Sequence, residues 1–178
     1  MLTKHLTLLL LILILIPTVL FIGCAQKIVI PDYETAKEQY LYAMKLKLNT
    51  MKGFDKKTRE NQLNRIETAF MRVIKNFPDD NEYTPVVYIN LGETYNSYEK
   101  PLKAIAMFST AIHKYPGQED IQLFGHYGLG ISYDKIGEYA KAKEQFKICI
   151  DQFGDNPRST FQKIVEQARR RYGVMREK

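Results

Sequence analysis

The side chains able to do chemistry are few, and their spacing sets what each can do. Ser97-Tyr98-Glu99-Lys100 places a hydroxyl and an amine one helical turn apart, as a serine nucleophile with a lysine base would need. No companion motif accompanies the pair. His113 and His126 are single residues in helical stretches, so neither has the second ligand of a metal site or the partner of a catalytic base. Gly128-Leu129-Gly130 contains a Gly-x-Gly but lies inside a helical pattern with no strand before it, which a dinucleotide turn requires. Asp79-Asp80-Asn81-Glu82 could hold a cation. Directly ahead of a helix, these carboxylates are better suited to capping, because acids favour helix N-termini. No Cys-x2-Cys pair and no Gly-Lys-Ser/Thr phosphate loop is present. The expectation is a protein without catalytic residues, metal or cofactor.

The elements that would position these groups follow from composition and pattern. With 178 residues, 45% apolar and 26% charged, the chain has a globular balance and can bury a core. Two cysteines exclude a disulfide scaffold. The net charge of +6 is unevenly spread. From Cys24 to Asn156, 18 Lys and Arg balance 18 Asp and Glu, whereas Pro157 to Lys178 carries seven basic residues against two acidic ones. The neutral main body argues against a nucleic-acid partner.

Met1–Gly23 reads as a processing signal. Lys4 and His5 precede an apolar run from Leu8 to Ile16, and after Pro17 the segment ends in Leu20-Phe21-Ile22-Gly23-Cys24. That ending resembles the lipobox of bacterial lipoproteins, in which a small residue precedes a cysteine that receives diacylglycerol. The resemblance implies Cys24 as the lipidation site, with covalent lipid as the only added group. It also implies an address in the cell envelope, and Ala25 after the cysteine favours the outer membrane, periplasmic face. The alternative is an uncleaved anchor. Leu6 to Ile22 gives roughly 25 Å of helix against a bilayer core of about 30 Å, and Pro17 weakens it. Cys149, on the apolar face of a helical pattern, reads as a buried structural thiol.

A fixed period organises the rest. Tyr88, Leu91, Gly92, Tyr95, Ala104, Phe108, Ala111 and Pro116 recur 38 residues later as His126, Leu129, Gly130, Tyr133, Ala142, Phe146, Cys149 and Gly154. Stepping back by the same period finds Ile66, Phe70, Val73 and Pro78. Tyr88-x2-Leu91-Gly92-x2-Tyr95, followed by Ala104-x3-Phe108 and Pro116, resembles the tetratricopeptide repeat (TPR), a pair of antiparallel helices. Gly137-Glu138-Tyr139-Ala140 resembles that family's inter-helix turn. The glycines and alanines are small where paired helices approach, and proline ends the second helix of each pair.

The spacing predicts an all-α TPR-type solenoid of about three repeats, the first degenerate, with a C-terminal capping helix. Helices are expected at Asp32–Met51, Lys56–Asn76, Tyr83–Tyr98, Pro101–Lys114, Asp120–Ile136, Tyr139–Gln152 and Arg158–Tyr172. The organisation is then 1–23 leader, 24–31 lipidated tether, 32–156 repeat array and 157–178 basic cap and tail. In the first repeat Ala43 is the expected small contact. In the last helix Ile164, Gln167, Ala168 and Arg171 continue the series, with Gln and Arg solvating one face.

The resemblance implies a concave groove lined by the first helices of successive repeats. Spacing places Ile89, Glu93 and Asn96 there, with Tyr127, Ile131 and Asp134 in the next repeat and Tyr40, Met44 and Lys47 in the first. The set is apolar and aromatic with acidic and amide groups, which favours a partner segment burying apolar side chains. Arg169, Arg170, Arg171 and Arg176 form a candidate contact to an acidic partner or anionic lipid. The function expected is a membrane-anchored interaction scaffold. It is similar to short relatives of the TPR lipoprotein of the outer-membrane β-barrel assembly machine and to the TPR domain of the Tol-Pal coordinator protein. The alternatives are a ligand-binding accessory lipoprotein of a transporter and a signal-anchored protein with the same adaptor role.

Overall fold

A computed structural model describes residues 29–49 and 55–175. The leader, Cys24, most of the insertion after Asn49, and Arg176 lie outside the described residues.

Seven helices follow in order: α1 (Ala36–Leu48), α2 (Lys56–Asn76), α3 (Tyr83–Ser97), α4 (Pro101–Lys114), α5 (Glu119–Lys135), α6 (Tyr139–Phe153) and α7 (Ser159–Val174). There is no strand among the described residues. The expected boundaries hold to within two residues except at α1, which starts at Ala36 and not Asp32 and ends at Leu48, capped by Asn49, short of the expected Met51. Thr35 is extended and caps the helix, accepting from the Glu38 amide at 3.2 Å while its hydroxyl donates to the Glu38 carboxylate at 2.9 Å. Asp32 is drawn away to Arg72 (2.9 Å) and Asn76 (3.3 Å) on α2. Asp80 accepts from the amides of Glu82 (3.1 Å), Tyr83 (2.5 Å) and Thr84 (3.3 Å), which makes the acidic run after Pro78 a cap for α3.

The helices form an all-α TPR-type solenoid of antiparallel pairs, α1/α2, α3/α4 and α5/α6, closed by the unpaired α7. Polar links tie the first helices of successive pairs at both ends, so these run parallel. At their C-terminal ends Asn96 of α3 donates to Ser132 of α5 (2.9 Å) and Arg171 of α7 lies 3.5 Å from Asp134 of α5. At the N-terminal ends Arg158, capping α7, pairs with Glu119 (2.6 Å) and Asp120 (3.1 Å) of α5. One core spans α1 to α5, and a second lies among α5, α6 and α7.

The 38-residue period is a packing period. Phe70, Phe108 and Phe146 are each no more than 1% exposed, one on each second helix. A Cβ built on Gly92 would lie 2.6 Å from the Phe108 ring, and one on Gly130 would lie 2.5 Å from Phe146. Each glycine thus makes room for its own repeat's phenylalanine, which offsets the roughly 1 kcal/mol that glycine costs in a helix. The turns obey the same period. The Lys100 amide donates to the Tyr95 carbonyl (2.8 Å) and the Glu138 amide to that of Tyr133 (3.0 Å). Between them the backbone becomes left-handed, at Gly137 with φ +79° and at Glu99 with φ +58°. Glycine adopts this conformation freely. Glu99 holds it at a cost of about 1 kcal/mol or more.

Candidate protein-interaction groove

The last turn of α3, the length of α5 and the middle of α7 present one row of side chains. From α3 come Glu93, Asn96 and Ser97; from α5 come Phe124, Tyr127, Gly128, Ile131 and Lys135; from α7 comes Ile164. Lys47 reaches in from α1, and the Phe108 ring forms part of the floor. Together they surround a cleft of about 480 Å³. A single cleft touched by all four of the parallel first helices requires that row to curve inward, as the repeat pattern implies.

Phe108 reaches this cleft through a gap left by a second glycine. A Cβ on Gly128 would meet its Cζ at 2.4 Å, so the ring sits between Gly92 of its own repeat and Gly128 of the next. Tyr127 and Ile131 are half-buried. The Tyr127 ring centroid lies 5.8 Å from that of Phe146, and its hydroxyl donates to Gln167 Oε1 at 2.8 Å. Burial on one side with exposure on the other leaves Tyr127 and Ile131 apolar surface to offer a partner.

Electrostatically the central cleft is nearly neutral. Lys47 Nζ donates to Asn90 Oδ1 and Glu93 Oε2, each at 2.7 Å, bridging α1 to α3. Glu93 is half-exposed, as a groove rim residue should be. Asn96 lines the cleft, but its amide is fixed: it donates to Ser132 Oγ at 2.9 Å, and that hydroxyl donates to the Gly128 carbonyl at 2.8 Å.

The groove expected from spacing is therefore partly assembled and partly redistributed. Lys47, Glu93, Asn96, Tyr127 and Ile131 meet in the central cleft. Asp134 lies beyond it, in an adjoining cleft of about 460 Å³ that also touches Tyr127 and holds Gln167, Arg170 and Arg171. Ile89 does not reach the groove: it is 6% exposed within the first core, because the earlier turns of α3 are enclosed by α1 and α5. Tyr40 and Met44 pack against that same core. Tyr40 packs against Tyr83 in a tilted contact (5.4 Å between centroids) and accepts weakly from Asn90 (3.4 Å), and burial raises its phenol pKa.

The arginine run does not act as one cluster. Arg170 and Arg171 line the second cleft, whereas Arg169 reaches back to within 3.3 Å of where a Cβ on Gly154 would stand. Consecutive helical residues point about 100° apart, so three in a row cannot share a face. Gln167 and Arg171 are not merely solvated; both contact groove residues of α5. Spacing did not single out Phe124, Lys135 and Ile164. Phe124 and Lys135 continue the 127/128–131 stripe at intervals of three and four, so that signal was available.

The remaining reactive groups are engaged structurally. Ser97 donates to the Glu93 carbonyl (2.9 Å) and Lys100 to Glu60 (3.1 Å), so the hydroxyl and amine are turned to different partners. His126 Nδ1 pairs with Gln145 Oε1 at 2.8 Å, a satisfied packing role. Cys149 is buried, and that burial pushes its thiol up to about 12. Among the described residues no group of three His, Cys, Asp or Glu could hold a metal ion, and no helix is long and apolar enough to cross a membrane.

Comparison with known proteins bears on this geometry directly. Residues 126–156, the C-terminal part of α5 with its turn and α6, match the family model of the tetratricopeptide repeat. The match covers the repeat that supplies Tyr127, Ile131 and Asp134. Neither the curated proteins nor the solved structures include a match to the chain. Helical repeats of this kind generally present concave surfaces to protein partners.

Proposed function

We propose that this chain is a lipid-tethered adaptor of the bacterial cell envelope whose concave groove seats a segment of another envelope protein. The observation carrying this reading is the central cleft. Phe124, Tyr127 and Ile131 offer apolar surface there, framed by the charged groups of Lys47, Glu93 and Lys135 and the amide of Asn96. An extended or helical segment with one or two apolar anchors fits that chemistry. Tethering through Cys24 follows from the Gly23-Cys24 ending, and periplasmic-face outer-membrane placement from Ala25. Ile30 is 3% exposed and its carbonyl accepts from Arg72, and a stretch of the length from Ala25 to Val29 can span at most roughly 17 Å. The array then works close to the membrane surface.

The test is quantitative recovery of envelope proteins with the tagged chain from cells. Ile131→Asp places a charge on the apolar wall and should lower recovery of the specific partner at least tenfold, as expected when an anchor worth about 2 kcal/mol is lost. Lys147→Glu on the outer surface of α6 should leave recovery unchanged. The reverse pattern would overturn the groove reading. Labelled palmitate entering the wild type and Cys24→Ser equally would overturn the tether.

A further inference from the structure

The groove does not end at the last complete repeat. α7 occupies the place of a further first helix, and its inward stripe of Ile164, Gln167 and Arg171 continues the wall beyond α5. Tyr127 borders both the central cleft and the second one, so the two are neighbouring stations of one channel. Their chemistry differs. The first is aromatic and aliphatic, with Lys47 already engaged by Glu93. The second presents the guanidinium groups of Arg170 and Arg171 above Val174.

Both guanidinium groups are held loosely. Arg170 is largely exposed and, among the described residues, pairs along its own helix with Glu166 at 3.1 Å. Arg171 is 3.5 Å from Asp134, at the long end of an ion pair. Exposed pairs of this kind contribute little, so an incoming carboxylate can take either arginine at small cost, and guanidinium binds carboxylate in a two-pronged fashion.

We propose that the occupant is an acidic polypeptide segment: an apolar side chain seated against Phe124, Tyr127 and Ile131, followed within a few residues by Asp or Glu on Arg170 and Arg171. This rests on the groove reading above and specifies its partner. A lipid headgroup fits the placement less well. The chain enters the fold where Ile30 and Asp32 bind the C-terminal end of α2, on the edge that carries the N-termini of the first helices. Arg170 and Arg171 lie at the other end of α7, on the order of 20 Å along its axis from that edge. A tether at the entry edge holds the arginines away from the bilayer and leaves them to a protein.

The experiment is selection of a random-sequence peptide library displayed on phage against the full chain in detergent, as wild type, Ile131→Asp and Arg170→Glu/Arg171→Glu. Wild type should enrich peptides with an apolar residue flanked on one side by Asp or Glu. A synthetic copy of the leading peptide should bind the double variant about tenfold more weakly, and its affinity for wild type should fall as salt is raised. Asp134→Asn releases Arg171 and should strengthen binding of the same peptide. Enrichment without acidic residues, or affinity unchanged in the double variant, overturns this proposal while leaving the groove intact. Enrichment that persists unchanged in Ile131→Asp overturns the groove reading itself. Displacement of the peptide by phosphatidylglycerol added to the micelles, with no preference for acidic over neutral peptides, would assign the arginines to lipid and overturn the proposal.

Discussion

Gly128→Ala tests whether the groove floor is built the way the glycine pattern implies. The new Cβ would stand 2.4 Å from Phe108 Cζ and 2.5 Å from Cε1, against an ordinary carbon contact of about 3.5–4.0 Å. The ring would have to retreat by more than about 1 Å. Its retreat is hindered, because it is 1% exposed and packs so closely on Gly92 that even a Cβ there would lie 2.6 Å from it. Overpacking of this kind costs about 1–3 kcal/mol, and alanine returns about 1 kcal/mol of helix propensity, leaving a net loss of up to about 2 kcal/mol. Gly173→Ala is the internal control: its Cβ meets nothing within 4 Å, so only the propensity gain remains, about 0.5 kcal/mol of stabilisation near a helix end. Urea unfolding followed by far-ultraviolet circular dichroism reads both as shifts of midpoint. Phe108→Leu in the Gly128→Ala background should recover part of the loss, although alone it destabilises. If Gly128→Ala stabilises as Gly173→Ala does, the interlock between repeats is not as described.

Glu99→Gly should stabilise the fold by about 0.5–1 kcal/mol, because glycine removes the left-handed strain at φ +58° that Gly137 avoids one period later; the urea midpoint checks it. Asp55 caps α2, and the Thr58 hydroxyl (2.6 Å) with the Thr58 and Lys57 amides holds its carboxyl below the ordinary value of 3.8. Its contribution is present above that ordinary value and is lost as pH falls through the depressed folded value. The stability gap between wild type and Asp55→Ala, measured by urea unfolding across pH, should therefore be constant near neutrality and close in acid. In a Cys24→Ser background Cys149 should resist iodoacetamide at pH 8 and react only on unfolding, since burial holds the thiol at about 12; mass spectrometry of native and denatured samples distinguishes the two.

What the sequence alone could show was whatever the period controls. Phe108 and Phe146, Gly92 and Gly130, and the turn hydrogen bonds before Lys100 and Glu138 repeat because each repeat solves the same packing problem. Ile89 and Tyr127 occupy equivalent positions in that period, yet one is enclosed and the other faces the cleft. Their difference depends on which helices flank α3 and α5, and this is tertiary information. The start of α1 was hidden for the same reason: Asp32 is captured by Arg72, far along the chain. Gln167 and Arg171 show a further limit. A polar residue at a signature position reads as solvated, but here each finds a partner on α5. Helical geometry says that three consecutive arginines cannot share one face, but that Arg169 is the one turned away, toward Gly154, is again tertiary information.

The central claim is that the partner lies in the groove. A photo-crosslinking amino acid placed at 131 or 93, on the cleft, and at 147, on the outer surface of α6, tests it in living cells. The account predicts a specific adduct from 131 and 93 and none from 147, with the crosslinked peptide carrying an apolar residue at the adduct. Capture of the partner from 147, with 131 and 93 silent, would contradict it.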